Sequence, residues 1–428
     1  MAEEDGGANM SPRGHLLSVY RQLLALSMAS SRLLRPRAIG ADHKETDMDA
    51  WKIGRRAWGL VLAGALAGAA AAAEPGVSDR EVVVGQSIGL TGPLGELGQD
   101  IANGARAYFD GVNERGGIHG RRVRVITLDD GYKVDQTVRN VQQLVEEDQV
   151  FALFNVMGTP NSAAILPLVE RAGVPFFSPF TGAEVTRSPV LPGVFNVRAS
   201  YRDEAEKLVQ HLATVGIQRV SVVHQANGFG KDGMAGVEAA MQRRGLKIHS
   251  AASIQTDASD AGQAVAALND SRPGAVILIT AGKPTFEFIK AYNKLRRGMQ
   301  FYTLSVMGAQ ANIRALGPDG VGVVVASVVP FPWSHAHPLA KEYQAAMNRI
   351  GQREYSFVSF ESYINAKVLA EAMRRAGRDL TRARLVAAAE GMAHVSFGGF
   401  DLGYGKDQRQ GSRFVELTII GANGRFTK

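Results

Sequence analysis

From residue 81 onward the apolar positions alternate between two regimes. Short dense runs of β-branched and aromatic residues give way to longer stretches in which apolar side chains recur every three or four positions. The first regime predicts strands and the second predicts helices. Strands are predicted over residues 81–90, 122–129, 151–155, 219–224, 246–254, 275–280, 301–305 and 322–328. Helical patterns lie between them, for example over 136–147, where Val138, Val141, Leu144 and Val145 share one face. Repeated strand–helix alternation implies an α/β protein with parallel sheets covered by helices on both faces.

One such series ends near Asn196 and a second begins near Ser200, where Ser200 and Asp203 have the spacing of a capping box. After Val328 the pattern changes to a loop with Pro330, Pro332 and Pro338, followed by helices over 339–350 and 356–377. The stretch 397–426, with its Gly-rich turns and alternating Phe414, Glu416 and Thr418, predicts strands and hairpins. No low-complexity tether separates the two series, so several short crossovers are expected between them.

The front of the chain bears on the compartment. Residues 48–56 form a basic segment with Lys52, Arg55 and Arg56, residues 57–70 are apolar and rich in Ala and Gly, and Ala71, Ala72 and Ala73 offer a cleavage site before Glu74. That is the pattern of a signal peptide over 48–73 and predicts a periplasmic protein. A membrane anchor fits less well, because the stretch is short and made of small residues. Arg55-Arg56 matches twin-arginine export only weakly. Residues 1–47 precede the Met at which such a peptide would begin, and they are expected to be a mis-assigned or disordered extension.

Residues 74–428 carry 39 Lys and Arg against 34 Asp and Glu. That excess is too dilute for a nucleic-acid surface, and pairs such as Arg243-Arg244 and Arg374-Arg375 precede glycines, where cations suit the end of a helix. The chain contains no cysteine, so disulfides, thiolate metal sites and cysteine nucleophiles are excluded.

Two motifs carry candidate chemistry. Gly158-Thr159-Pro160 follows a predicted strand, with Thr159 suited to the N-cap and Pro160 to the first helical position, leaving free N–H groups for a small carboxylate. Ser178-Pro179-Phe180-Thr181-Gly182 lies in the next strand-to-turn junction and supplies hydroxyls to the same wall. Gly228-Phe229-Gly230-Lys231-Asp232-Gly233 matches the dinucleotide fingerprint, but no acidic residue ends the following strand and Phe229 would crowd a pyrophosphate, so no cofactor is expected. His335 and His337 lack a carboxylate at ligand spacing, and no metal site is expected. Asp129-Asp130 reads as a solvated turn, and no catalytic motif occurs, so the chain is not expected to be an enzyme.

Several stretches in consistent order resemble the extracytoplasmic solute-binding proteins of branched-chain amino acid (Leu/Ile/Val-type) ABC transporters. They are Ile88-Gly89-Leu90-Thr91-Gly92-Pro93 with Gly98 and Asn103-Gly104, Asn113-Glu114-Arg115-Gly116-Gly117-Ile118-His119-Gly120-Arg121, the Gly158 and Ser178 motifs, and Glu361-Ser362-Tyr363-Ile364-Asn365-Ala366-Lys367.

The resemblance implies a type I periplasmic-binding-protein fold, in which two doubly wound lobes are joined by three crossovers around a ligand cleft. On this chain the lobes would be 74–198 plus 329–413 and 199–328 plus 414–428. It further implies a receptor that hands a small molecule to an inner-membrane ABC permease, working as a monomer; a sensor that docks onto a regulatory partner is the alternative. By the same resemblance Gly158 and Thr159 hold the ligand carboxylate and Phe180, Thr181 and Gly182 form the facing turn. Phe229 is the wall from the opposite lobe, and Leu97, Ala281, Met307 and Gly308 line the pocket. One departure stands out. Amino-acid binders of this family have an acidic residue for the ligand ammonium where this chain has Val306-Met307-Gly308-Ala309-Gln310. Only Glu96 or Glu184 could substitute, and otherwise the ligand would be a carboxylate or amide without that group.

Overall fold

The computed structural model describes residues 74–428; the predicted signal peptide and the extension before it lie outside the described residues. The chain begins with β1 (Glu81–Ile88), α1 (Gly95–Glu114), β2 (Arg122–Asp129), α2 (Val134–Gln142), β3 (Ala152–Phe154), α3 (Thr159–Ala172), β4 (Phe176–Phe177) and β5 (Val194–Phe195). These strands form a parallel sheet in the order β2-β1-β3-β4-β5. Seven of the eight β1 residues are buried, as expected for a strand covered on both faces. In α1 the residues Leu97, Ile101, Ala105, Phe109 and Val112 recur every three or four positions and form the buried stripe.

That helix ends in the Asn113–Arg121 motif, whose residues have a local physical reason. Gly116 and Gly117 take φ of 91° and 76°, and the Gly117 N–H donates to the Val112 carbonyl at 2.9 Å. A Cβ on Gly117 would lie 1.9 Å from the Arg121 carbonyl oxygen. Asn113 then pins the start of β2 through two bonds, Nδ2 to the Val123 carbonyl at 2.9 Å and Oδ1 from the Val123 N–H at 2.7 Å.

The second lobe follows with α4 (Tyr201–Thr214), β6 (Val220–Gln225), α5 (Gly228–Gln242), β7 (Ala251–Ile254), α6 (Ala261–Asn269), β8 (Ala275–Ile279), α7 (Lys283–Leu295), β9 (Gln300–Thr303), α8 (Gln310–Leu316) and β10 (Val324–Ser327). The predicted capping box at the start of α4 is present, with both Ser200 and Asp203 bonding the partner backbone. Helices α9 (Pro338–Arg349), α10 (Phe357–Ala376) and α11 (Arg382–Glu390) return the chain to the first lobe, where α10 packs along α1. A small hairpin of β11 (Val395–Phe397) and β12 (Phe400–Leu402) follows, and β13 (Glu416–Ile420) and β14 (Phe426–Thr427) finish the second sheet. That sheet has the order β14-β13-β10-β9-β8-β6-β7, with only the two pairings of β13 antiparallel.

Read from β7, the parallel part of the second sheet repeats the order of the first. In each, the first strand of the series sits between the second and third, so each lobe has a topological switch point at the carboxyl ends of its strands, where α/β sheets leave a crevice for ligands.

Candidate ligand-binding site

A cavity between the lobes is lined by Leu94, Leu97, Tyr132, Met157, Gly158, Thr159, Phe180, Tyr201, Phe229, Ala281 and Val306. Apart from Tyr201 each follows the carboxyl end of a strand, so the two switch points face one another across it. The space left between these side chains is about 20 Å³, roughly that of one water. The walls therefore nearly meet. Leu94, Leu97 and Val306 also line a wider cleft mouth of about 480 Å³, together with Thr91, Glu96, Gln99, Gly282, Phe286 and Asn312.

The first lobe supplies the polar wall. Gly158, at φ 101°, is the N-cap of α3, so Thr159 is the first helical residue and not the cap that the sequence suggested. The difference frees its hydroxyl: Thr159 Oγ1 lies 2.7 Å from Thr181 Oγ1, and Thr181 Oγ1 accepts from the Ala183 N–H at 3.1 Å. Pro160 has no N–H, Ser162 N donates back to Gly158 O at 2.9 Å, and the Thr159 and Asn161 N–H groups stand at the helix start without an intrahelical acceptor.

Behind them the Asp129-Asp130 pair is not simply a solvated turn. Asp130 is 2% exposed and accepts from Ser87 Oγ at 2.8 Å, Thr137 Oγ1 at 2.9 Å and Tyr132 N at 2.8 Å. Burial pushes its carboxyl above the usual range against these hydrogen bonds. Thr137 Oγ1 in turn accepts from Asn161 Nδ2 at 2.6 Å, which ties the Tyr132 turn to the start of α3. Tyr132, Asn155 and Ser178 all take positive φ, a conformation that costs on the order of 1–3 kcal/mol each and persists at sites where surrounding bonds over-determine it. At Asn155 those bonds run to Ser362 Oγ and from Asn365 Nδ2, both at 2.8 Å.

The second lobe supplies an apolar wall. Phe229 is held on α5, whose N-cap Asn227 accepts from the Gly230 N–H at 3.2 Å. A Cβ at Gly230 would lie 1.9 Å from the Gln225 carbonyl oxygen and one at Gly233 2.4 Å from Ile279 Cγ2, so the glycines of the fingerprint-like motif serve close helix–strand packing. The Phe229 ring meets Tyr201 edge-on at 5.1 Å. Burial holds the Tyr132 and Tyr201 hydroxyls above their ordinary pKa, so both stay protonated donors.

Of the residues expected at the site, Leu97, Gly158, Thr159, Phe180, Phe229 and Ala281 are brought together around the cavity. Thr181 is bonded beneath Thr159, and Gly182 is covered by the Tyr201 ring. Met307 and Gly308 do not line it: Met307 is buried in the core, Gly308 packs on Phe357, and Val306 takes the place expected of them. Leu94, Tyr132, Met157, Tyr201 and Val306 are additions. Among these, Val306 belongs to the turn singled out in the sequence and Tyr201 directly follows the Ser200 cap.

No Asp, Glu, Lys or Arg lines the inner cavity. Both candidate ammonium partners are engaged elsewhere: Glu96 pairs with Arg314 at 3.5 Å and Glu184 with Arg202 at 3.4 Å, each across the lobes. A buried cation lies behind the aromatic wall. Arg198, in the first crossover, has its guanidinium 5.2 Å from the Tyr201 ring centre and 5.9 Å from that of Phe180. It bonds Glu204 on α4 at 2.7 Å and Ser305, and lies 3.4 Å from Glu361 on α10. Burial works against the Arg198 charge, but Glu361 and Glu204 outweigh it and hold its pKa above the ordinary value. Arg187, pulled down to about 10 by burial and by Arg198, donates to the Thr181 and Ala183 carbonyls at 3.2 and 2.8 Å and fixes the facing turn. Among the described residues no cluster of His, Asp and Glu is arranged to hold a metal ion.

Comparison with known proteins gives this geometry a family. The periplasmic binding protein family matches residues 81–424. "Leu/Ile/Val-binding protein homolog 7" of Brucella suis is 23% identical over 382 residues, covering 85% of this chain and 92% of its own. A substrate-binding periplasmic protein from Ralstonia solanacearum is 34% identical, with a TM-score of 0.75 over 80% of this chain and 99% of that one. The fold is shared, at 19% identity each, with a branched chain amino acid ABC transporter structure from Thermus thermophilus with bound valine (TM-score 0.74, 82% and 96% covered). It is also shared with an R. palustris solute binding protein in complex with 4-hydroxybenzoate (TM-score 0.71, 80% and 94% covered). With two switch points facing across one cleft and a family match over nearly all of the described residues, the chain belongs to the periplasmic binding proteins of type I, a family of solute-binding proteins and not of enzymes.

Proposed function

We propose that this chain is a periplasmic receptor that captures a small apolar or aromatic carboxylate between its lobes and delivers it to an inner-membrane ABC permease. The observation that carries the reading is the composition of the cavity: Phe180, Phe229, Tyr132, Tyr201 and aliphatic neighbours around the start of α3 and the Thr159 hydroxyl, with no acidic side chain among them. Helix N-terminal N–H groups and hydroxyls suit a carboxylate. An α-ammonium group has no partner there, and losing its hydration without a counter-charge is costly.

The cleft mouth, at about 480 Å³, is within the usual range for small-molecule sites. Ligand contacts to both lobes would then favour the closed form. Export through residues 48–73 is part of the proposal, and N-terminal sequencing of the periplasmic protein should find a chain that begins near Glu74. The ligand test is a matched pair. By calorimetry, 4-methylpentanoate should bind at least as tightly as leucine, its α-amino counterpart; leucine binding tenfold tighter would show that an acidic group reaches the site and would overturn the assignment.

A further inference from the structure

Glu184, which the sequence offers as an ammonium partner, takes part in a different arrangement. Its backbone N–H, in the first lobe, donates to Asp232 Oδ2 on α5 of the second lobe at 2.9 Å, and its carboxylate lies 3.4 Å from Arg202 Nη1 on α4. Both contacts join bodies that must separate for a ligand to enter. Each member stands close in sequence to a cavity wall: Glu184 four residues after Phe180, Asp232 one helical turn after Phe229, and Arg202 directly after Tyr201. None of the three lines the cavity.

We propose that Asp232 is a latch residue: by holding the Glu184 N–H across the cleft it stabilises the closed form and slows ligand release without touching the ligand. The bond is charge-assisted and partly shielded, which gives it more weight than an exposed ion pair. Asp232 Oδ1 is buried with no hydrogen-bond partner, so the Glu184 N–H is the one bond that compensates the burial of this carboxylate. Burial raises its pKa, while the Glu184 N–H together with the facing Arg187 and Arg202 favours its charged form and the Glu184 carboxylate opposes it. The Arg202 arm is the weaker, since Arg202 is 59% exposed.

The inference rests on the reading of the chain as a closing receptor, and its test separates the two. The chain lacks cysteine, so Glu170→Cys and Lys247→Cys, both at exposed positions, place one dye on each lobe for single-molecule distance measurement. In the free protein, Asp232→Ala should shift the population toward larger separations. It should also raise the dissociation rates of 4-methylpentanoate and leucine by the same factor, about tenfold. Asp232→Asn, which keeps the shape and a weaker acceptor, should fall between, and it carries the test alone if the alanine variant does not fold. Unchanged separations with unchanged dissociation rates would overturn the latch, as would a changed ratio between the two ligands, which would mean that Asp232 touches them. If neither compound binds the parent protein, the carboxylate assignment fails, and the separations in the free protein still decide the latch.

Discussion

The lobes are joined twice by the same chemical device, an arginine between two glutamates, in opposite surroundings. Behind the cavity Arg198 is set between Glu204 and Glu361, with side chains 0–5% exposed. At the cleft mouth Arg314 reaches Glu96 at 3.5 Å and Glu354 at 2.8 Å, with all three side chains more than half exposed. Water screens the second trio, and each of its pairs contributes about 0–1 kcal/mol. The first trio cannot be judged by its attraction alone, because each charge has lost its hydration and depends on the others. Glu204 is fully engaged, by Arg198 and by the Ser305 N–H at 2.8 Å and hydroxyl at 3.0 Å, whereas Glu361 Oε1 has no hydrogen bond. The Arg198 side chain is thus hydrogen-bonded to the second lobe and meets Glu361 of the first only through charge, while its backbone carbonyl accepts from Arg187 Nη2 of the first lobe at 3.2 Å.

The largest effect that would break this comparison is expected from Arg198→Met. It leaves two buried carboxylates without their cation and should cost about 3–5 kcal/mol of folding stability, measured by denaturant unfolding; a loss below about 1 kcal/mol would place the trio in the same class as the mouth.

Next comes pH. Burial lifts the Glu361 carboxyl to about 7, against the downward pull of Arg198, and lifts Asp100 to about 6, against the Ser356 hydrogen bond. A carboxyl with a raised pKa binds its proton more tightly in the folded state. The stability it contributes is therefore present below the unfolded pKa and is lost as pH rises from about 4.5 to about 7. Melting temperatures across pH 5 to 8 should show this fall, and Glu361→Gln should flatten its upper part.

Within the site, Thr159→Ala should weaken 4-methylpentanoate binding about tenfold, for the loss of one hydrogen bond to a charged group worth roughly 1.5–3 kcal/mol, with the melting temperature of the free protein little changed. Isothermal calorimetry checks it, and unchanged affinity would remove the hydroxyl from the site. The smallest effect belongs to the mouth: Arg314→Ala should change affinity less than about fivefold, and that change should disappear in 1 M salt. A large salt-independent loss would show that this trio is not the screened one.

What was legible in the chain was legible for local reasons. The strand predicted over 122–129 coincides with β2, and the expected capping box caps α4, because a strand buried on its inner face and a cap each leave a pattern over neighbouring residues. The strand expected over 246–254 is only Ala251–Ile254, since Leu246 and Ile248 lie in the connecting loop and pack on the core outside the ladder. Phe176–Phe177 is legible only as the strand end before the Ser178 turn, and Val194–Phe195 not at all, because two residues have no period and become strands only by adding to β3 and then to β4. At the site, Thr159 and Phe180 announced themselves through the motifs around them. Tyr132 did not, because its role depends on Asp130 and on a positive φ that no neighbour in sequence reports.

By itself, then, the amino-acid sequence determined the α/β alternation, the two series of strands, the start of α3 around Thr159-Pro160 and the lack of an acid after β9. Each of these is a property of a short stretch, set by side-chain type and spacing. Tertiary structure alone decided that Glu96 and Glu184 pair across the lobes instead of facing the ligand, that Val306 and not Met307 lines the cavity, and that Arg198 lies between carboxylates 6 and 163 residues away. Those outcomes depend on which surfaces two separately wound sheets bring together, and the burial that gives each charge its weight exists only after they have met.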